Sequence, residues 1–224
     1  DLVVALDGHL GTIVESAVGS RRLEVQLQAQ GGHSWGDYPT ASAVHAMGDA
    51  IHALNGMNVP AEPRSSYNVG QVWGGTSINA IAQGAGFNLD LRSLDAAVLA
   101  ELEREARERI SRSARRHRVT AEIRTVGDRP TAKVANGLLV EAAAGVLESL
   151  GLPVRRAASS TDANASMAAG LPSIAFGVYL GGDAHRLSEW LDPASLVSGY
   201  EAFRGLMAEL SCLGVSAASA ARAS

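Results

Sequence analysis

Two histidines that follow glycine pairs are the side chains of this sequence best placed to do chemistry. His33 stands in Gly-Gly-His-Ser-Trp (31–35), and His185 stands in Gly-Gly-Asp-Ala-His-Arg-Leu-Ser-Glu-Trp (181–190). Glycine opens the backbone to solvent or to a ligand, so a histidine framed in this way is seldom a core residue. Histidine is the commonest metal ligand and the main acid–base side chain near neutral pH. We therefore expect both histidines to belong to a functional site.

Asp7 and His185 are candidate metal ligands because each follows an apolar run that is typical of a buried strand. Asp7 comes directly after residues 2–6, and His185 comes after residues 173–179. In α/β sheets the functional site lies at the carboxyl ends of the strands, and zinc accepts both carboxylate and imidazole ligands. The alternatives are an ordinary turn at Asp7, since Asp-Gly is a common turn pair, and a surface loop at His185.

A polar triplet, Ser160, Thr161 and Asp162, precedes a predicted helix at 163–169. The hydroxyl groups could donate hydrogen bonds to a substrate carboxylate at the start of this helix. The alternative for Asp162 is an ordinary N-cap.

Asn79 and Arg92 are candidate substrate-binding residues. Asn79 follows the glycine pair 74–75, and Arg92 ends a predicted strand at 86–92. A neutral amide can bind a substrate carbonyl or carboxylate, and a guanidinium can hold a carboxylate through two hydrogen bonds. A turn-capping asparagine and an exposed edge arginine are the alternatives.

Composition excludes several classes of protein. The chain has 224 residues and a net charge of −4, which argues against nucleic-acid binding. Residues 104–118 hold seven arginines, and the acidic residues that precede them favour a solvated helix face. Cys212 is the only cysteine, which excludes a disulfide framework and a thiolate zinc site. No apolar run reaches the roughly 20 residues of a membrane span, and the sequence favours a cytoplasmic protein.

The predicted elements indicate an α/β fold with one domain inserted into another. Alternating strands and amphipathic helices over 21–127 follow the ferredoxin-like order β-α-β-β-α-β. Residues 1–20 and 128–213 alternate strands with helices, which predicts a partial catalytic domain with a mostly parallel sheet. Residues 214–224 are small and polar and are expected to form a flexible tail. A ferredoxin-like RNA-binding domain is disfavoured by the acidic charge and the few aromatic residues on the strands.

Six segments together resemble the co-catalytic zinc metallopeptidase family that includes aminoacylase, carnosinase, peptidase T and carboxypeptidase G. They occur in the family's order and cover nearly the whole chain: Leu-Asp-Gly (6–8), Gly-Gly-His-Ser (31–34), Gly-Gly-Thr-Ser-Ile-Asn-Ala-Ile-Ala (74–82), Leu-Asp-Leu-Arg-Ser (89–93), Ser-Thr-Asp-Ala-Asn (160–164) and Asp-Ala-His-Arg-Leu-Ser-Glu-Trp (183–190). The inserted domain is similar to the family's lid, or dimerisation, domain.

The resemblance implies a role for each candidate residue. Asp7 and His185 each resemble a ligand of one of two zinc ions, which lie roughly 3.5–4 Å apart and share a hydroxide. His33 resembles the lid histidine that steadies the oxyanion in the active site of a partner subunit. The residues that resemble the substrate-binding groups are Asn79, Arg92, Ser160, Thr161 and Asp162.

The resemblance also implies that part of the site is missing from this sequence. The family's first histidine ligand, its bridging aspartate and its Glu-Glu pair precede the Leu-Asp-Gly segment, and no substitute is found here. We therefore expect the C-terminal portion of a zinc-dependent hydrolase of small peptides or N-acyl or N-carbamoyl amino acids, inactive alone. A homodimer is expected through the edge strand and first helix of the lid domain. The alternative is a non-catalytic dimerisation or binding module of the same fold.

Overall fold

The structure is a computed structural model that describes residues 1–223, with side chains as far as Cys212. The flexible tail predicted at 214–224 lies outside the residues whose side chains are described. No helix in the described part of the chain combines the length and the apolar character of a membrane span.

The helices and strands follow the order that the sequence patterns predict, with several short strands added. The helices are α1 (Ala43–Leu54), α2 (Ala96–Arg116), α3 (Gly137–Ser149), α4 (Asn164–Ala168) and α5 (Ser195–Ala223). The strands are β1 (Val3–Leu6), β2 (Thr12–Ala17), β3 (Gly19–Gln28), β4 (Gly32–His33), β5 (Ser65–Gly74), β6 (Ala80–Ile81), β7 (Gly84–Ser93), β8 (Thr120–Arg129), β9 (Ala132–Lys133), β10 (Arg155–Ser159), β11 (Ser173–Phe176), β12 (Leu180–Gly182) and β13 (Trp190–Asp192).

The chain forms two compact units. One comprises Asp1–Val18 and Ala132–Ser224, and the other, which we call the inserted unit, comprises Gly19–Thr131. The limits that the sequence predicts for the inserted domain, residues 21 and 127, remain a prediction.

The inserted unit is a four-stranded antiparallel sheet with α1 and α2 packed against it. Its strand order is β5-β7-β3-β8, so β5 and β8 are the two edges. Apolar side chains alternate along the two central strands because one face of each strand is buried under the helices. The buried side chains include Leu23, Val25 and Leu27 of β3 and Phe87, Leu89 and Leu91 of β7. The predicted α/β class is confirmed.

The other unit contains a mixed sheet in the order β1-β11-β2-β10, with β9 against β2. The pairs β1–β11 and β2–β10 are parallel, whereas β2–β11 and β2–β9 are antiparallel. The sequence predicted a mostly parallel sheet, and that prediction is wrong. Both antiparallel pairs involve β2, a strand that the sequence patterns did not predict. A tight connection at residues 7–11 reverses the chain between β1 and β2, so β2 runs against β11.

The arginine-rich segment lies on α2 and forms ion pairs along the helix, as the solvated-face alternative predicted. Arg104 contacts Glu101 and Glu108 at 2.5 Å, and Arg107 contacts Glu103 at 2.8 Å. The hydrogen bond from Arg104 holds the pKa of Glu101 below its ordinary value. These pairs hold Arg104 and Arg107 to acidic residues of the same helix.

Candidate functional site

His33 lies at the end of a short strand that glycine makes possible. It is the second residue of β4, and the two residues before it, Gly31 and Gly32, have φ angles of 71° and 154°. Residues other than glycine rarely adopt these φ angles. The glycine pair therefore allows the chain to turn sharply after β3, and this turn exposes the histidine. The sequence argument for an exposed His33 therefore has a backbone reason.

The hydrogen bonds around His33 fix which ring nitrogen carries the proton. The backbone N–H groups of Trp35 and Gly36 donate to Nδ1 at 3.2 and 3.4 Å. The backbone N–H of His33 donates to the Asp37 carboxylate at 2.6 Å. Because Nδ1 accepts hydrogen bonds, the neutral ring carries its proton on Nε2. The exposed Nε2–H is then a hydrogen-bond donor held in place by its own loop.

Asn79 lies beside His33 although 46 positions separate them in the sequence. β4 pairs with β6 so that His33 is opposite Ala80, and the Ser34 N–H donates to the Asn79 carbonyl at 2.9 Å. The Ser77 hydroxyl donates to Asn79 Oδ1 at 2.9 Å, so the Nδ2 hydrogens remain as donors. The structure therefore brings together two of the predicted site residues, both exposed.

Arg92 lies at the opposite end of the same sheet. It is the ninth residue of β7, whereas β6 and the glycine turn lie near the first residue, Gly84. Eight residues of strand span about 27 Å at roughly 3.4 Å each. Its Nε donates to the Asp90 carboxylate at 2.6 Å. Arg92 and His33 of one inserted unit therefore do not reach the same small substrate.

Asp7 and His185 both lie in loops beyond strand ends of the other unit. Asp7 follows β1, its carboxylate is exposed, and its N–H donates to the Phe176 carbonyl at the end of β11 at 3.1 Å. His185 lies between β12 and β13 with a φ of 66°, and its N–H is 3.3 Å from the Glu189 carboxylate. Both side chains lie in exposed loops.

Within the described residues, no group of three or more His, Cys, Asp or Glu side chains is arranged to hold a metal ion. Zinc sites use three or four protein ligands. Asp7 and His185 are of the types that zinc accepts, but by themselves they do not complete a site.

The predicted substrate loop follows β10 and is organised by its own hydrogen bonds. Thr161 is buried, its hydroxyl accepts from the Ala163 N–H at 3.3 Å, and its N–H donates to the Asn164 amide oxygen at 2.8 Å. Ser160 is half-buried and Asp162 is exposed. The N-cap of α4 is Ala163 and lacks a side-chain cap, so the N-cap alternative for Asp162 is wrong.

Two residues that position the site were missed in the sequence. Asp37 binds the backbone of His33, and Ser77 binds the side chain of Asn79. Asp37 stands four residues after the histidine, a spacing that suits a turn, and this was the available signal. Ser77 carried no comparable signal because its contact depends on the conformation of the turn before β6.

Comparisons with known proteins relate this site to a family. Residues 16–118 match the family model of the peptidase dimerisation domain. Over these residues the inserted unit is similar to a peptidase dimerisation domain. This match supports the resemblance to the co-catalytic metallopeptidase family over the inserted unit. No curated protein sequence matches the chain.

Solved structures share the fold over nearly the whole chain. Aminopeptidase PepT from Bacillus cereus is 23% identical with a TM-score of 0.70, over 93% of this chain and 57% of that one. A tripeptidase from Staphylococcus aureus is 20% identical with a TM-score of 0.73, over 91% and 55%. An amidase of the hydantoinase/carbamoylase family from Burkholderia vietnamiensis is 20% identical with a TM-score of 0.74, over 93% and 54%. The chain spans about half the length of these proteins.

Proposed function

We propose that this chain forms part of a metal-dependent hydrolase of amide bonds in small peptides or in N-acyl or N-carbamoyl amino acids. The observation that carries the proposal is the exposed pair of His33 and Asn79. An exposed imidazole N–H, and an exposed side-chain amide on the segment paired with it, are donors that suit the oxygen that gains negative charge when an amide carbonyl is attacked. The similar structures are named as an aminopeptidase, a tripeptidase and an amidase, which supports amide substrates.

Asp7 and His185 would be the metal ligands that this chain contributes. A bound zinc ion polarises a carbonyl and lowers the pKa of its water. Because two ligands do not complete a zinc site, we expect the chain alone to be inactive. The proposed substrate-binding residues are Asn79, Arg92, Ser160, Thr161 and Asp162, with Arg92 suited to a substrate carboxylate.

A homodimer is the proposed assembly, and the distance between Arg92 and His33 supports it. Groups about 27 Å apart in one inserted unit can serve one small substrate only if they come from different copies. The β5 edge is the proposed contact, because α1 packs on that side of the sheet while α2 packs on the β8 side. An unpaired edge strand invites pairing with another chain.

Matched substitutions on the two edges test the dimer. Val72 on β5 and Val126 on β8 are 58% and 57% exposed, so lysine at either position is tolerated by the fold. Light scattering should give a dimer for the wild type and Val126→Lys and a monomer for Val72→Lys, because lysine on an edge strand opposes pairing. A monomeric wild type, or dissociation by Val126→Lys alone, contradicts pairing through β5.

An assay with added Zn²⁺ tests the activity. The chain is incubated with tripeptides and with N-acetyl and N-carbamoyl amino acids, alone and joined to any segment that its gene encodes before Asp1. We expect turnover only by the joined form. In that form His33→Ala should lower kcat about 10²–10³-fold, the usual cost of losing one oxyanion donor.

His52→Ala serves as the control because His52 is also exposed in the inserted unit but lies on α1. Turnover by the chain alone contradicts the proposal of a shared site, and equal rates for His33→Ala and His52→Ala contradict the role of His33.

The second candidate function is a non-catalytic dimerisation or binding module. The match to the dimerisation domain over residues 16–118 favours it, since that match does not extend to Asp7 or His185. Equilibrium dialysis of the joined form separates the two functions. Zinc binding that is lost in Asp7→Ala and His185→Ala supports the hydrolase, whereas dimers that take up no zinc support the module.

A further inference from the structure

A cavity of about 660 Å³ opens in the inserted unit, and His33 is not one of its lining residues. Its walls are the loop 34–42, the first turn of α1, the turn before β6 and residues 116–118 at the end of α2. This volume lies within the range of about 300–1,000 Å³ that small-molecule sites occupy. The cavity is therefore large enough for a ligand of a few to a few tens of atoms.

Positive charge surrounds this cavity. Arg116, His117 and Arg118 line it from the C-terminal end of α2 and the two residues after it, and His45 lines it from α1. Two acidic groups are nearby: Asp49, which pairs with Arg116 at 2.8 Å and lies 3.5 Å from His117, and Asp37, which accepts from the His33 N–H. Arg118 has no acidic partner among the described side chains. Neither Asp37 nor Asp49 lines the cavity, so its lining carries two guanidinium groups and no carboxylate.

Ser42 adds a hydroxyl group that is not used by the fold. It lines the cavity, is only 8% exposed, and is the N-cap residue of α1. A serine at this position ordinarily accepts from the N–H groups of the first turn, yet here the side chain makes no cap hydrogen bond. The hydroxyl and the positive end of the α1 dipole therefore border the same space as the arginines.

We propose that this cavity binds a small oxyanion of the phosphate type, either inorganic phosphate or a phosphate monoester. Guanidinium groups bind phosphate oxygens through paired hydrogen bonds, and a helix N-terminus with a free hydroxyl is a common complement to them. The site is separate from the proposed hydrolase function and does not depend on it. The loop 34–42, which forms one wall, begins beside His33. A bound oxyanion would therefore link this loop to the C-terminal end of α2.

Titration calorimetry of the chain at constant ionic strength tests the site, with inorganic phosphate and glycerol phosphate as the two probes. Arg118→Gly removes the charge at a position whose φ of 56° suits glycine, so the variant should fold. Arg112→Ala is the charge-matched control, because Arg112 is exposed on α2 and does not line the cavity.

We expect binding of at least one probe, weakened about tenfold by Arg118→Gly through loss of a charge-assisted hydrogen bond and changed less than about twofold by Arg112→Ala. Ser42→Ala should weaken binding by a smaller factor. Binding of inorganic phosphate alone indicates the free ion as ligand, and tighter binding of glycerol phosphate indicates an ester. Absence of binding by the wild type, or equal weakening by Arg112→Ala and Arg118→Gly, would overturn the proposal.

Discussion

Replacing Arg118 with glycine should stabilise the inserted unit relative to replacing it with alanine. Arg118 follows the C-cap of α2 with a φ of 56°, in the left-handed region. Its N–H donates to the Arg115 carbonyl at 3.1 Å, and the Val119 N–H donates to the Ala114 carbonyl at 3.0 Å. This pair of bonds is a Schellman motif, in which glycine is the usual residue at the position of Arg118.

The magnitude follows from two opposing contributions. The left-handed conformation costs a residue other than glycine about 1–2 kcal/mol of conformational energy. Glycine loses about 0.4–1 kcal/mol more backbone entropy than alanine on folding. Arg118→Gly should therefore be about 1 kcal/mol more stable than Arg118→Ala, and the loss of the arginine charge cancels in this comparison.

Urea unfolding followed by circular dichroism measures the difference. With a slope of about 2 kcal/mol per molar urea, the midpoint of Arg118→Gly should lie about 0.5 M above that of Arg118→Ala. Hydrogen exchange of the α2 amides locates the change in the inserted unit. Equal midpoints, or a higher midpoint for alanine, would refute the argument that the left-handed arginine carries strain.

Three further predictions concern single contacts. Gly177→Ala should lower the free energy of unfolding by about 1–3 kcal/mol, because a Cβ there would collide with the carbonyl oxygen of His9. The shift of the urea unfolding midpoint measures this loss. Asn136→Ala should lower the free energy of unfolding by about 1–3 kcal/mol, because the buried amide of Asn136 forms hydrogen bonds with two backbone groups, one on β2 and one at the start of β11. Unchanged amide hydrogen exchange in β11 would contradict this prediction. Arg104→Ala should raise the pKa of Glu101 toward its ordinary value, and NMR titration measures the change. In the wild type, the Arg104–Glu101 pair stabilises the folded state at pH values above the ordinary glutamate pKa, and this stabilisation is lost as the pH falls through the lowered pKa.

The regular elements could be predicted from the sequence because their signals are local. The apolar spacing over 96–116 and the aspartate before it, Asp95, are local signals of a helix. The helix α2 has these bounds, and Asp95 accepts from the Val98 N–H. Strict alternation predicted the strands of the inserted unit within a few residues at each end. β2 was missed, since Thr12–Ala17 alternates only weakly and follows a tight turn.

The candidate site was predictable as a set of residues but not as an arrangement. The glycine pair before His33 indicated exposure, and the positive φ angles of those glycines are the physical reason. Nothing in the sequence indicated that Asn79 would lie beside His33 or that Arg92 would lie at the far end of the sheet. The cavity beside α1 was likewise invisible, because it depends on the ends of two helices that are far apart in the chain.

The sequence by itself determined the α/β class, the helices and the main strands, because side-chain periodicity and capping act over a few residues. Tertiary structure alone decided the partners: that β4 pairs with β6, that β2 runs against β11, and which chemical groups share a surface. Strand pairing joins residues dozens of positions apart, and its register follows from the burial of whole faces of the sheet rather than from any local segment.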